Sequence, residues 1–133
     1  MTDFTMSRTL DRPYDATVAD VRDRLAEQGF GVLTEIDVRK TMKTKLDLDV
    51  APQVILGACR PQLAHQAMTA VPSIAAMLPC NVVVRALPDG RTVVEMLDPD
   101  AMLSMVDDAT LREVARDARQ RLTAALAALT GDD

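Results

Sequence analysis

The sequence predicts a small α+β domain built on a mostly antiparallel sheet, and three features support this. Apolar, β-branched runs lie on both sides of a short helical segment between Pro52 and Arg85. The turn residues Pro88–Asp89–Gly90 separate two strand-like runs, which predicts a tight hairpin of antiparallel neighbours. The final segment repeats apolar residues at helical spacing. Because no repeat or linker divides the 133 residues, we expect one domain over residues 1–133.

The composition argues against several classes of partner. A net charge of −5 with three aromatic residues is unsuited to nucleic acid, which requires a basic face and stacking rings. No apolar run approaches the roughly 18 residues of a membrane span, and the polar N-terminus lacks the apolar core of a signal peptide. Two cysteines form no disulfide framework. We therefore expect a reduced, cytoplasmic protein with neither nucleic acid nor membrane as a partner.

The first two elements are a strand over residues 4–10 and a helix over residues 15–28. Loose alternation from Phe4 to Leu10 is typical of a strand. The helix has an apolar stripe, Asp15 or Thr17 can cap its start, and Thr17 with Asp20 resembles a capping box. Gly29 follows as the expected left-handed stop.

A second strand over residues 30–37 and a basic helix over residues 38–48 follow. Alternation predicts Phe30, Val32, Thr34 and Ile36 on a core face, and it assigns Leu33, Glu35 and Asp37 to the other face. The helix has a basic side, which we interpret as a solvated surface or, alternatively, as an anion-binding patch. The basic residues are Arg39, Lys40, Lys43 and Lys45.

The central segment reads strand, helix, apolar turn, strand. The apolar run over residues 53–58 predicts the third strand. Pro61 suits the first position of a helix that extends to about Ala70, and residues 74–78 predict a short apolar turn. Residues 80–87 are strongly β-branched and predict the fourth strand. His65 falls on the polar side of the helix, so we expect it at the surface.

The last segment completes the hairpin and ends in the longest helix. Residues 91–97 predict the fifth strand with Glu95 at its centre, and residues 100–105 a short helix. Thr110 and Glu113 resemble a capping box for a helix over residues 109–129, with Gly131 as its stop. We expect this helix to pack its leucine-rich stripe on the sheet.

The two cysteines are the first candidates for chemistry. Cys59 and Cys80 each end an apolar run beside a proline, Pro61 or Pro79, so we expect them close together at one edge of the sheet. A thiol at a helix N-terminus has a lowered pKa and could serve redox chemistry or metal binding. The alternative is that both are small core residues, where free cysteine is usually found.

Carboxylates supply the second set of candidates. Glu35, Asp37 and Glu95 lie on predicted strands, where carboxylates usually face water, although a pair beside a pocket could perform acid–base chemistry. A metal site from Cys59, Cys80, His65 and a carboxylate matches no known ligand spacing, so no metal is assigned. The glycines form no phosphate-binding loop.

Five segments in order carry a resemblance to a known family: EQGFGVLTEIDV, KLDLDV, VILGACRPQLA, MLPCNVVVR and VVEMLDP. The chain resembles, over about Leu25 to Met102, the bacterial and archaeal domain-of-unknown-function family 302. The resemblance implies a TATA-binding-protein-like two-layer sandwich, with helices on one side of a curved antiparallel sheet, and a homodimer. It implies no activity. The positions that match are Gly29, Phe30, Asp37, Leu56, Gly57, Cys59, Pro61, Ala64, Leu78, Pro79, Cys80, Asn81 and Pro99.

These observations favour a module that binds a small molecule or anion near the ends of the cysteine-bearing strands, and the resemblance implies that it is a dimer. Apolar surroundings with a few polar groups are typical of such sites. The alternatives are a thiol-based redox or metal-handling protein that uses Cys59 and Cys80, and an enzyme that uses the strand carboxylates. No cofactor is assigned. The candidate ligand-binding residues are Cys59, Cys80, Asp37, Glu35, Glu95 and Asn81.

Overall fold

A computed structural model describes residues 4–131, which form one five-stranded sheet with four α-helices and two 3₁₀ helices. The sheet order is β1-β5-β4-β3-β2, and every neighbouring pair is antiparallel. The strands are β1 (Thr5–Leu10), β2 (Gly31–Asp37), β3 (Gln53–Cys59), β4 (Cys80–Ala86) and β5 (Thr92–Leu97). The helices are α1 (Tyr14–Glu27), α2 (Val38–Leu46), α3 (Pro61–Ala70), a first 3₁₀ helix (Pro72–Met77), a second 3₁₀ helix (Pro99–Ser104) and α4 (Ala109–Ala128).

The predicted hairpin and the α+β class are confirmed. Strands β4 and β5 pair directly, with Val84 opposite Val94, and no helix interrupts the predicted fourth strand. Gly90 adopts φ +89° in the connecting turn, a conformation that favours glycine. The short loop between the two strands therefore has the geometry that its sequence indicated.

The main core lies between one face of the sheet and the helices α1 and α4. Val54, Leu56 and Ala58 alternate along β3 and are all buried. Leu25 of α1 and Leu122 of α4 pack in the same cluster. The opposite sheet face, which includes Ile55 and Val83, is only partly buried. The helix layer over one face of an antiparallel sheet confirms the two-layer arrangement that was expected.

A second apolar cluster lies beyond the end of the sheet. It joins Leu63 of α3, Met102 of the second 3₁₀ helix and Val114 in the first half of α4. The predicted packing of the last helix on the sheet therefore applies to its second half, where Leu122 and Ala125 join the main core. The first half of α4 packs instead on α3 and the second 3₁₀ helix.

The predicted parity of the second strand is wrong after Val32. Val32 lies opposite Ala58, but the register then skips Leu33, and Thr34 lies opposite Gly57. This β-bulge adds one residue to β2, so every later side chain changes face. Thr34 and Ile36 consequently lie on the open face, and Glu35 lies opposite Leu56 on the helix-covered side.

Two predicted helix caps are also wrong. Helix α1 begins after Pro13 without a side-chain cap, and Thr17 is buried and donates from Oγ1 to the Pro13 carbonyl. Helix α4 begins after Asp108, whose side chain accepts the Leu111 N–H at 3.0 Å. Asp108 accepts better than a hydroxyl at a helix start because it also brings negative charge to the positive end of the dipole.

The end of α4 is held by polar contacts with β1 and α1. The Arg8 guanidinium donates to the carbonyls of Leu126, Leu129 and Gly131 at 2.9–3.0 Å. The Leu126 carbonyl also accepts the Leu129 N–H at 3.4 Å, whereas Leu129 and Gly131 lie beyond the last helical residue, Ala128. A cation at this end therefore adds donors to carbonyls at and just after the helix terminus and complements the dipole. The helix ends at Ala128 with Leu129 as its C-cap, two residues before the expected stop at Gly131, which has φ +128°.

Candidate functional site

The structure brings the two cysteines to adjacent strands, as predicted. Cys80, the first residue of β4, lies opposite Ala58 of β3, so Cys59 is one position away in the register. Both are free thiols at the end of the sheet where the chain enters α3. The proximity of the cysteines is thus confirmed, and it places them at the junction of the two apolar clusters.

The cysteine thiols are not activated. Burial raises the pKa of Cys80 to about 11, with the nearby Cys59 thiol adding to the shift, and burial also raises the pKa of Cys59. The expectation of a lowered pKa for Cys59 is wrong, because Cys59 ends β3 and Arg60 is the residue that caps α3. Both cysteines line one cavity, and the charge of Cys59 contributes to the shift at Cys80, so the two residues are near each other. The raised pKa values of the two thiols do not favour the redox alternative.

A cavity of about 30 Å³ lies beside the cysteines, between the two apolar clusters, and we call it the seam cavity. It has room for about two water-sized groups. Phe30 and Ala58 form its wall on the side of the sheet, and α3, α4 and the second 3₁₀ helix close the rest. Its other lining residues are Cys59, Arg60, Leu63, Ala64, Ala67, Leu78, Pro79, Cys80, Met102, Val114 and Ala118.

Arg60 is the charged residue at the wall of the seam cavity. Its Nε is buried and has no hydrogen-bond partner within residues 4–131. The side chain lies across Gly29, which follows α1 with φ +84° and leaves the room that a Cβ atom would occupy. A buried donor without an acceptor costs free energy, so this position is suited to a bound acceptor.

The predicted carboxylates do not converge with the cysteines. Glu35 pairs with Arg22 of α1, and Asp37 caps α2 by accepting the Lys40 N–H at 3.0 Å. Both lie at the outer edge of the sheet, in a groove beside Tyr14. Burial raises the pKa of the Tyr14 hydroxyl, and the charges of Asp37, Asp15 and Glu35 raise it further. These carboxylates therefore serve as a cap and an ion-pair partner at the sheet edge.

Glu95 and Asn81 lie on the open face of the sheet. Glu95 accepts from the Thr5 hydroxyl at 2.7 Å and from the Arg85 guanidinium at 2.8 Å. The exposed Asn81 shares with Glu95 a groove of about 310 Å³, which Val83 and Leu97 also line. The groove lies on the sheet face opposite the helix-covered core.

The open face also carries an apolar row that crosses three strands. Ile36 pairs with Ile55, and Ile55 pairs with Val83, so these side chains stand side by side. Leu33, the bulged residue of edge strand β2, is 64% exposed. We call Ile36, Ile55 and Val83 the open-face row. Ile36 is 48% exposed, and Ile55 and Val83 are half-buried.

The remaining candidates lie at the surface. His65 is exposed on α3, as predicted. Within residues 4–131, no three His, Cys, Asp or Glu side chains are grouped to hold a metal ion. On α2, Lys43 forms ion pairs with Asp47 and Asp49 at 2.9 and 3.5 Å. None of the described helices has the length and apolar character needed to cross a bilayer.

Sequence reasoning missed Arg60 as a site residue. The signal available was weak: an arginine before a helix-starting proline, with Gly29 far away in the chain. Only the fold shows that the two meet, because the end of β3 and the end of α1 lie at the same edge of the structure. Met102 was missed for the same reason, since it reaches the seam cavity from the second 3₁₀ helix.

Comparison with known proteins gives a family and a fold. The family profile "Domain of unknown function DUF302" matches residues 6–129. An uncharacterised conserved DUF302 protein from Bacillus stearothermophilus shares 30% sequence identity with this chain, and its crystal structure superposes on this one with a TM-score of 0.87. That match covers 97% of this chain and 100% of the other. No protein of curated function matches.

Proposed function

This chain belongs to the DUF302 family, and on that premise we propose that it is a binding module that holds a small anion, or the anionic group of a small molecule, in the seam cavity. The observation that carries the proposal is the buried, unpartnered Arg60 Nε at the cavity wall. An anion there accepts a hydrogen bond from a charged donor, which is stronger than a bond between neutral groups.

The other walls of the cavity support a ligand of few atoms. Most lining side chains are apolar, so water screens the attraction between Arg60 and an anion less than it would at the surface. The raised pKa of Cys80 keeps its thiol protonated, and an S–H group is a weak donor. The volume of about 30 Å³ favours ligands of two or three heavy atoms over larger acids.

The first experiment is a titration followed by amide chemical shifts, with formate, bromide and acetate as probes. We expect saturable shifts at Arg60 and Cys80 that are larger for formate and bromide than for acetate, because the cavity is small. Arg60→Gln should abolish them and Arg60→Lys should reduce them, whereas Arg91→Gln, which removes an exposed arginine from the hairpin turn, should leave them unchanged. Equal shifts in wild type and Arg60→Gln would contradict the proposal.

We also propose that the module is a homodimer whose partner copy covers the open-face row and edge strand β2. The support is the uncovered row together with the exposed Leu33, Ile36 and Leu46 on the β2–α2 side. Residues 35–49 carry four acidic and four basic side chains, so a two-fold related copy presents both signs to its mate. The two free cysteines support a reducing, cytoplasmic location, which we propose as well.

The oligomeric state tests the second proposal directly. Light scattering on wild type should give about twice the monomer mass of 14.5 kDa. Ile36→Asp and Val83→Asp should shift the mass to that of the monomer, because each places a charge within the apolar row. Thr123→Asp, on α4 away from the open face, is the matched control. A wild-type protein that is monomeric at micromolar concentration would exclude the dimer.

A further inference from the structure

Helix α4 presents three arginines on one exposed face. Arg112, Arg116 and Arg119 follow the i, i+4, i+7 spacing that places side chains on one side of a helix, and all three are exposed. They line a groove of about 620 Å³ between α4 and the second 3₁₀ helix. Over seven residues the array extends about 10 Å along the helix axis.

The placement of these charges does not favour the helix itself. Arg112 lies in the first turn of α4, where the positive end of the helix dipole disfavours a cation. Arg112 and Arg116 are like charges at i, i+4, which destabilises an isolated helix. A row of positive charge at this end of the helix is therefore better explained by what it faces in the groove.

The three guanidinium groups differ in how they are held. Arg119 pairs with Asp98 at 3.1 Å and with Asp100 at 3.6 Å, and Asp98 is itself fixed as the cap of the second 3₁₀ helix. Arg112 pairs with the exposed Asp107. Arg116, between them, has no hydrogen bond or ion pair with any residue in the range 4–131. The central donor of the array is thus available to a ligand.

We propose that this groove binds the di- or triphosphate group of a small molecule. A guanidinium group matches phosphate oxygens with two parallel N–H donors, and successive phosphates can be held by successive arginines. Gln120 and Thr123 add neutral donors at one end, and Leu103 supplies an apolar wall for the rest of the molecule. Asp100 also lines the groove and shares Arg119 with Asp98, so its charge is only partly offset. This site is separate from the seam cavity and does not depend on it.

The test is calorimetric titration of the full chain with inorganic pyrophosphate and tripolyphosphate at low salt. We expect one saturable site, tighter for tripolyphosphate, with orthophosphate at least tenfold weaker because it reaches fewer donors. Arg116→Gln should weaken binding at least about tenfold, which is the effect of losing a charged hydrogen-bond donor. The affinity of Arg116→Lys should lie between those of wild type and Arg116→Gln. Wild-type binding of adenosine triphosphate tighter than tripolyphosphate would extend the proposal to nucleotides.

Arg91→Gln is the charge-matched control, since it removes an arginine that pairs with Asp89 at the hairpin. It should bind pyrophosphate within twofold of wild type. Two results would overturn the proposal. One is an equal loss of affinity in Arg91→Gln and Arg116→Gln, which means a diffuse charge effect. The other is no saturation of the wild-type protein below about 10 mM pyrophosphate or tripolyphosphate. Unchanged thermal unfolding of Arg116→Gln establishes that its helix is intact.

Discussion

The Arg60 side chain lies across Gly29 so closely that a Cβ atom on Gly29 would be 3.1 Å from the Arg60 Nε. Gly29 closes α1 in a left-handed conformation, and Arg60 starts α3. The two helix ends are therefore coupled through one contact. The buried Nε lies at this contact and Arg60 also lines the seam cavity, so the backbone at Gly29 and the binding proposal can be tested together.

Gly29→Ala should destabilise the protein and weaken anion binding. The φ of +84° strains any Cβ-bearing residue by about 1–2 kcal/mol, and the new methyl group also displaces Arg60. Gly90→Ala is the matched control, because Gly90 has φ +89° but open space around a Cβ. In urea, the free energy of unfolding should fall more for Gly29→Ala than for Gly90→Ala. Equal losses would show that the contact with Arg60 does not contribute to stability.

Gly57→Ala should be destabilising through overlap with neighbouring side chains. A Cβ on Gly57 would overlap the Thr34 hydroxyl and lie 2.7 Å from Pro79 Cγ, so we expect a loss of about 1–3 kcal/mol. Adding Thr34→Ala should recover part of it. Gly31→Ala on the neighbouring strand is the control, since its Cβ would lie 3.9 Å from the Cys59 carbonyl, an ordinary contact. The free energy of unfolding in urea measures all three, and a loss for Gly57→Ala no larger than the control would refute the overlap.

Much of the sheet could be predicted from the sequence because its signals are local. The β-branched run from Cys80 and the turn at Gly90 determine the hairpin through neighbouring residues alone. The apolar spacing over residues 109–129 likewise predicted a buried leucine-rich stripe, and its residues Leu111 and Leu122 are buried.

The rest depends on contacts distant in sequence. The bulge at Leu33 arises from pairing between β2 and β3, and no residue of β2 signals it. Because one extra residue reverses the faces, Glu35 and Asp37 were assigned to the wrong side. The role of Arg60 was equally hidden, since it depends on where α1 ends in space.

The stability of the protein should fall at alkaline pH because of Cys80. Its pKa is raised from 9.0 to about 11 in the folded protein, so the unfolded chain ionises first. The free energy of unfolding is unaffected by this thiol below about pH 9. It falls by about 2–3 kcal/mol as the pH rises from 9 toward 11, because only the unfolded chain releases the proton in that range. The raised pKa of Tyr14 acts in the same direction. Cys80→Ala should flatten the curve of unfolding free energy between pH 8 and about 10.5.

The same burial should make the thiols slow to react at neutral pH. Alkylation of native Cys80 by iodoacetamide at pH 7.5 should be much slower than that of a peptide thiol, because the thiolate is the reactive form. Cys59, which is partly exposed, should react faster than Cys80. Rapid labelling of Cys80 in folded protein would contradict its assignment as a neutral, buried thiol.

Replacing Arg8 should loosen the end of α4. Arg8→Met keeps the aliphatic stem but removes the donors to the carbonyls of Leu126, Leu129 and Gly131, so we expect a loss of about 1–3 kcal/mol. Hydrogen exchange should increase in the last turn of α4. Arg91→Met, at the hairpin turn, is the control and should change neither quantity. Unaltered exchange in Arg8→Met would show that the helix end is held by other contacts.

The central claim is that the seam cavity holds an anion against Arg60, and anomalous diffraction from crystals soaked in bromide tests it most directly. We expect an anomalous peak inside the cavity within about 3.5 Å of the Arg60 Nε, and no peak there in Arg60→Gln. A cavity that contains only water while bromide binds elsewhere would contradict the proposed function.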